Sequence, residues 1–340
     1  MHHNHKLKIR VGQIIRGLVL AVCLGYLLVF FHRNRSTLQI AFRLNWRLLA
    51  GMLALQLAYY PLQALRLHVI IGRRSDTSPS FLPWLRVFVV GRFVNMVVSQ
   101  AGNLYRAAYL KKEYRIPYTR YIGGLAAVAW LDLCVSLAVA VTAILIFEPQ
   151  LTVGPFPLWG LCGLLLAVIM TVPLVTHLIM RRLSFRSRRL EWIRERIAAV
   201  VDMTVASLRD IPCLLVVVGL GLIIFTRTVL LFRLYFLVFQ IHTSLSELAI
   251  FYALFALGGL VMITPGNVGI QEVAWGFLGG LIGVGMAQGV LVSGFGRVVA
   301  AGVIACLGVP LGAIDVLRNR NGLSDPAVGT HNTGDASRPM

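Results

Sequence analysis

Acidic side chains are what this sequence has least of. Asp and Glu number 13 in 340 residues against 32 Lys and Arg, a formal net charge of +19, and charged residues of both signs make up only 13% of the chain. A soluble domain carries about 25% charged residues, so a water-exposed globule is excluded. Cysteine is also sparse: Cys23, Cys134, Cys162, Cys213 and Cys306 are scattered through apolar segments without CxxC spacing. That excludes a disulfide framework or thiolate metal centre and predicts free thiols. No DxD and no His-rich loop is present to hold the metal of a membrane-embedded transferase, and His2, His3 and His5 form only a terminal group. No metal and no cofactor is expected. The basic excess has no soluble domain to sit on, which argues against nucleic acid and for anionic lipid headgroups as partners.

What is present is hydrocarbon. Hydrophobic residues are 58% of the chain and lie in long uninterrupted runs, whereas a membrane β-barrel needs short alternating segments. The expected fold class is an all-α polytopic membrane protein. Runs at Gly17 to Phe31, Trp46 to Ile71, Tyr121 to Phe147, Leu158 to Met180, Ile211 to Phe236 and within Gly285 to Leu317 predict about six full crossings of a ~30 Å hydrocarbon layer at ~1.5 Å per residue. The first follows Lys6, Lys8, Arg10 and Arg16 as a secretory signal does, but no small-residue cleavage site comes after it; it reads as an uncleaved span.

Two further apolar pieces are interrupted. Pro83 to Ser99 leads through Gln100-Ala101-Gly102-Asn103 into Leu104 to Leu110, and Ser246 to Ile263 leads through Thr264-Pro265-Gly266-Asn267 into Val268 to Leu281. Neither contains two crossings, so each is expected to form a re-entrant hairpin, with turns at Gly102 and at Pro265, Gly266 and Gly269. Irregular backbone at membrane depth is tolerated only inside protein or beside a water-filled cavity.

The Lys/Arg-rich loop around residues 181–210 is assigned to the cytoplasm, and Glu148 to Pro157, which has no Lys or Arg, to the outside. Both termini then lie in the cytoplasm of a prokaryotic inner membrane; Arg33, Arg35 and Arg43 fall on the opposite side. Residues 1–13 form a tail, 14–318 a transmembrane domain with halves at about 14–147 and 158–317, and 319–340 a polar tail expected to be disordered. Leu190 to Leu208, with Trp192, Ile193, Ile197, Val200 and Val201 among charges, reads as an amphipathic interfacial helix. Each half holds two spans, a hairpin and a third span, with opposite starting sides. This is the inverted repeat of alternating-access transporters, whose sites lie near the midplane between broken helices.

Ionisable groups inside such a domain ask for a partner or a role. Arg66, Arg92, Arg106, Arg227, Arg233 and Arg297 face only two acids, Asp132 and Glu272. Guanidinium keeps its charge and offers bidentate donors, so an arginine excess suits phosphate. Arg66, Arg92 and Arg233 also have a second reading, snorkelling to an interface. Asp132 and Glu272 are assigned to ion pairs or to proton coupling.

At these residues the chain resembles a family. Thr264 to Glu272 resembles the Pro-Gly-Gly-x-Gly-x-x-Glu signature of the flippase-like transmembrane region of lysylphosphatidylglycerol synthases. Asn95, Gly102-Asn103 and Arg106 are similar to that family's Asn, Gly-Glu and Arg block, and Leu65-Arg66 and Asp132 fall where family members carry Arg and Asp. Gln100-Ala101 stands in place of Pro-Gly-Arg, Asn103 in place of Glu, and Val128-Ala129 in place of a Glu-Arg pair. The resemblance implies lipid translocation between leaflets rather than catalysis, with no aminoacyl-transferase domain in the residues after Arg318. Candidate substrate-binding residues are Arg66, Asn95, Asn103, Arg106, Asn267 and Arg297. The alternative function is a membrane scaffold or accessory subunit for a separate lipid-modifying synthase or glycosyltransferase. The oligomeric state stays open.

Overall fold

The computed structural model describes residues 45–73, 80–98, 100–183, 187–258 and 269–320. The expected first span at Gly17 to Phe31 and the turn residues Pro265, Gly266 and Asn267 lie outside them. Among the described residues are ten helices and one ribbon of two two-residue strands. In chain order these are α1 (Trp46–Gly72), α2 (Phe81–Val97), α3 (Ala101–Tyr114), α4 (Tyr118–Phe147), β1 (Thr152–Val153), β2 (Phe156–Pro157), α5 (Leu158–Arg182), α6 (Arg188–Arg209), α7 (Ile211–Val238), α8 (Leu245–Gly258), α9 (Ile270–Leu281) and α10 (Met286–Arg320).

Five of them, α1, α4, α5, α7 and α10, are long and apolar enough to cross a membrane. The chain is a multi-pass, all-α membrane protein. The outward faces of α5 carry Leu161, Leu164, Val168, Leu174, Val175 and Leu178 in exposed positions; a patch of that extent on a protein in water would drive association, and in a bilayer it is the lipid-facing wall. By contrast α2, α3 and α9 have 17, 14 and 12 residues, lengths of roughly 18 to 26 Å, short of a full hydrocarbon layer, and 14 residues of α8 are described. They pair as α2 with α3 and α8 with α9.

Local chemistry sets the joints. Asn45 caps α1 by accepting from Arg47 N at 3.0 Å, and Asp210 caps α7 by accepting from Cys213 N at 3.2 Å. Asp210 also accepts from Arg73 Nε at 2.7 Å, which ties the end of α1 to the start of α7. The two helices run antiparallel: Gly51 lies against Leu234, Leu55 and Gln56 against Arg227, and Arg66 against Gly221.

Contacts within the bundle follow a correspondence. α2 packs on α10 as α8 packs on α4; α1 meets α2 as α7 meets α8, and α1 meets α4 as α7 meets α10. α3 lies on α2 and α4 as α9 lies on α8 and α10, while α4 with α7 matches α10 with α1. Exchanging α1 with α7, α2 with α8, α3 with α9 and α4 with α10 maps every close packing pair among these eight helices onto another. The pair α1 with α7 maps onto itself.

Two large cores fill the bundle, beside a smaller cluster of Tyr60, Val89, Val303 and Ile304. One surrounds Trp275 of α9, whose ring centroid lies 4.4 Å from Phe232, 4.9 Å from Phe251 and 5.9 Å from Phe255. The other joins α1, α2, α3 and α4 through Leu67, Trp84, Phe88, Leu110 and Tyr121. Helix α6 closes the side of α4: a Cβ at Gly123 would stand 2.8 Å from Met203. His177 of α5 and Asp202 of α6 are bonded at 2.7 Å.

Candidate functional site

The first interrupted segment folds into a hairpin with almost no space between its arms. A Cβ on Gly102 would lie 1.7 Å from the carbonyl oxygen of Gly91, so only glycine permits this approach of α3 to α2. Asn95 of α2 reaches across the turn and accepts from Gly102 N at 2.7 Å, satisfying one orphan donor at the start of α3. Gln100, before that helix, adopts a left-handed φ of 66°. Asn103 donates through Nδ2 to Gln100 Oε1 at 2.6 Å.

Asn103 also fixes Arg106, whose Nη2 donates to Asn103 Oδ1 at 2.6 Å while Nε donates to Gly102 O at 3.2 Å. Arg106 is therefore folded back toward the hairpin tip. It is 2% exposed and stacks over Phe88 at 4.8 Å. Arg92 lies over the same ring at 5.6 Å and over Tyr59 at 5.4 Å, with Nη2 donating to Tyr59 Oη at 2.8 Å. Arg227 of α7 lies over Tyr59 at 5.1 Å, and donates from Nε to Leu55 O at 2.6 Å and from Nη2 to Gln56 Oε1 at 2.7 Å.

The result is a row: Arg106, Phe88, Arg92, Tyr59, Arg227. Tyr59 has thirteen residues of α1 on either side, which puts the row at the middle of a crossing helix. None of the three guanidiniums meets a carboxylate among the described residues, and each directs at most two of its five N–H donors to protein oxygens. Such charges cost about 2.5 to 3.5 kcal/mol each at membrane depth on insertion scales. Aromatic faces offset part of that, roughly 0.5 to 2 kcal/mol per cation.

Two other arginines are neutralised. Arg66, fully buried, donates through Nη1 to Asp132 of α4, and its Nη2 packs on Gly221 of α7. Arg297 of α10 donates through Nε to Glu272 Oε1 at 2.7 Å and through Nη2 to Gln271 Oε1 at 3.0 Å. The second oxygen of Glu272 accepts from Gly269 N at 2.6 Å, the reach-back half of a capping box. Gly269 has φ 87°, a left-handed value that suits glycine. Glu272 is 1% exposed with both oxygens bonded, so it clamps α9 to α10.

Of the residues singled out in the sequence, Asn95, Gly102, Asn103 and Arg106 thus meet at the first hairpin, Arg66 with Asp132 stand at the α1, α4 and α7 junction, and Glu272 with Arg297 and Gly269 stand at the second hairpin. Asn267, Pro265 and Gly266 are outside the described residues. Arg233 is exposed and away from the row. Tyr59, Gln56, Phe88, Gly91 and Gln271 complete these groups; Gln271 lies within the Thr264 to Glu272 stretch, Gln56 shows only as an amide in an apolar run, and the other three carry no motif of their own.

Searches of curated proteins and of solved structures found no match to this chain. Residues 13–308 match the family model of the lysylphosphatidylglycerol synthase TM region, and the chain belongs to that family.

Proposed function

We propose that this family member moves an anionic lipid, or a lipid-linked precursor of phospholipid or polyprenyl-phosphate type, between the leaflets of the cytoplasmic membrane. Membership of the family suggests a role in membrane lipid chemistry, and the finer reading rests on one observation. Arg92, Arg106 and Arg227 stand at the middle of the bundle without an ion-paired carboxylate among the described residues, and cations in that position call for a counter-anion. A phosphate headgroup passing through would supply it. The row lies where α1 and α7, the self-corresponding pair, meet the tip of a short hairpin, and this supports an inverted repeat that opens alternately to the two sides.

The test is reconstitution of the full chain in phosphatidylcholine vesicles with a fluorescent anionic lipid and a membrane-impermeant quencher. The expected result is quencher access to inner-leaflet probe at least about tenfold faster than in protein-free vesicles, and a fall of about tenfold or more with Arg92→Gln combined with Arg227→Gln, since one lost ionic contact of 1.4 kcal/mol already changes an equilibrium tenfold. Rates equal to protein-free vesicles for every lipid would overturn the reading.

A further inference from the structure

The charge balance of the row also limits what headgroup it takes. The inference rests on reading the row as the cargo site.

The acids of the apolar helices include Asp132 and Glu272, each bonded to its own arginine, and Glu247 in the first turn of α8, which accepts from Ser244 N at 2.9 Å. The undescribed stretches nearest in sequence to the membrane core, residues 1–44 and 259–268, contain no Asp or Glu at all. Asp76 belongs to the connection between α1 and α2, Asp315 lies in the closing segment of α10, and Asp325 and Asp335 follow α10. Among the described residues no carboxylate forms an ion pair with Arg92, Arg106 or Arg227; Asp132, which acts on Arg92 at longer range, is bonded to Arg66. The row therefore carries three formal positive charges without an ion-paired acid.

Its members are linked by shared rings: Arg106 and Arg92 both lie over Phe88, and Arg92 and Arg227 both lie over Tyr59. A phosphodiester headgroup carries one negative charge and would leave two cations bare; an aminoacylated phosphatidylglycerol carries no net negative charge, zero with one added ammonium and +1 when the amino acid is lysine, and would leave the row uncompensated. A phosphomonoester carries about −1.5 to −2 at pH 7, and a diphosphate monoester more, on oxygens spread along a line.

We infer that the Arg106, Arg92, Arg227 row binds a lipid ending in a phosphate or diphosphate monoester and discriminates against phosphodiester and aminoacylated headgroups. Asn103 is the second determinant. Its Oδ1 already accepts from Arg106 Nη2 at 2.6 Å, so a carboxylate there would supply an internal counter-ion and lower the demand for charge on the ligand.

The test is thermal stabilisation of the detergent-purified full chain titrated with farnesyl diphosphate, farnesyl phosphate, dihexanoylphosphatidylglycerol and inorganic diphosphate. Farnesyl diphosphate is expected to half-saturate at a concentration at least about tenfold below the phosphatidylglycerol, with farnesyl phosphate between them. Asn103→Glu should raise the melting temperature of the ligand-free protein and shrink that ratio to about threefold or less; Lys112→Gln, at an exposed position off the row, should leave the ratio unchanged. Equal half-saturation by the diester and the diphosphate would overturn the inference. Stabilisation by inorganic diphosphate matching that by the farnesyl ester would overturn its lipid part, because the site would then serve a free anion. Failure here is separable from failure of the transport reading. The predicted binding order without faster lipid crossing removes transport alone, and lipid crossing with a flat binding order removes the headgroup assignment alone.

Discussion

Glu272 illustrates how a motif residue acquires its meaning. Both oxygens are engaged, one by Arg297 and one by the Gly269 amide, so neutralising the carboxylate removes the counter-charge of a half-buried Arg297. Glu272→Gln is expected to destabilise the protein by about 3 to 5 kcal/mol, and joint replacement of Glu272 and Arg297 by Met should recover most of that, both read as melting temperature in detergent. A pair variant as unstable as the single one would mean that the geometry serves something besides pairing. Gly102→Ala is a steric test of a different kind: its methyl group would meet Gly91 O, and overpacking of about 1 to 3 kcal/mol should appear together with displacement of Arg106. At this scale the sequence displayed the charges, because an arginine or carboxylate in an apolar run stands out. It did not display their partners. Arg227 bonds to Leu55 and Gln56, 172 and 171 residues away, and nothing local to either segment records that meeting.

Among the elements, hydropathy alone marks α1, α4, α5, α7 and α10 to within a few residues at each end. The remaining differences have local causes. α4 starts at Tyr118 rather than Tyr121 because Pro117 is a natural residue to precede a helix, and α3 runs on through Lys111 and Lys112 to Tyr114 because lysine is a good helix former whatever its hydropathy. The first interrupted segment also follows from length, since its helices have 17 and 14 residues. What hydropathy does not carry is where α6 sits. Its amphipathic pattern is plain in the sequence, yet its seat on α4 depends on Gly123 making room for Met203. Gly123→Leu should therefore lift α6 from α4, with limited proteolysis within α6 at least several-fold faster than in the parent protein; an unchanged cleavage rate would mean that α6 is held by the bilayer rather than by α4.

The whole molecule has two ends distinguishable without reference to any charge rule. Arg73 bridges to Asp210, and Gly124 packs on Leu67, Ile70 and Ile71, so the close of α1, the opening of α7 and the opening of α4 share one end, and Lys112 lies just before that opening. Gly51 meets Leu234, so His242 belongs to the other. Single cysteines at Lys112 and at His242, in a background free of the five native ones, should react with impermeant maleimide from opposite sides of the membrane. Labelling of both from one side would refute the antiparallel arrangement on which the bundle's correspondence depends. That correspondence was foreshadowed in the order of spans and interrupted pieces, but the exchange of contacts was not, because it belongs to surfaces that meet only in the folded chain.

One wall of the arginine row has a bearing on how the protein is made. Helix α2, which carries Phe88 and Arg92, packs on α10, with Phe93 pressed against Gly308. The ribosome delivers α10 after every other described helix. Until then the α2 and α3 hairpin, too short to cross the bilayer and carrying unneutralised arginines, must wait at the membrane with one flank bare. Biogenesis of the centre is thus gated by the last of the described helices to be synthesised, and a chain released before α10 should present an unfinished hairpin to membrane quality-control proteases, however well its earlier spans have been inserted.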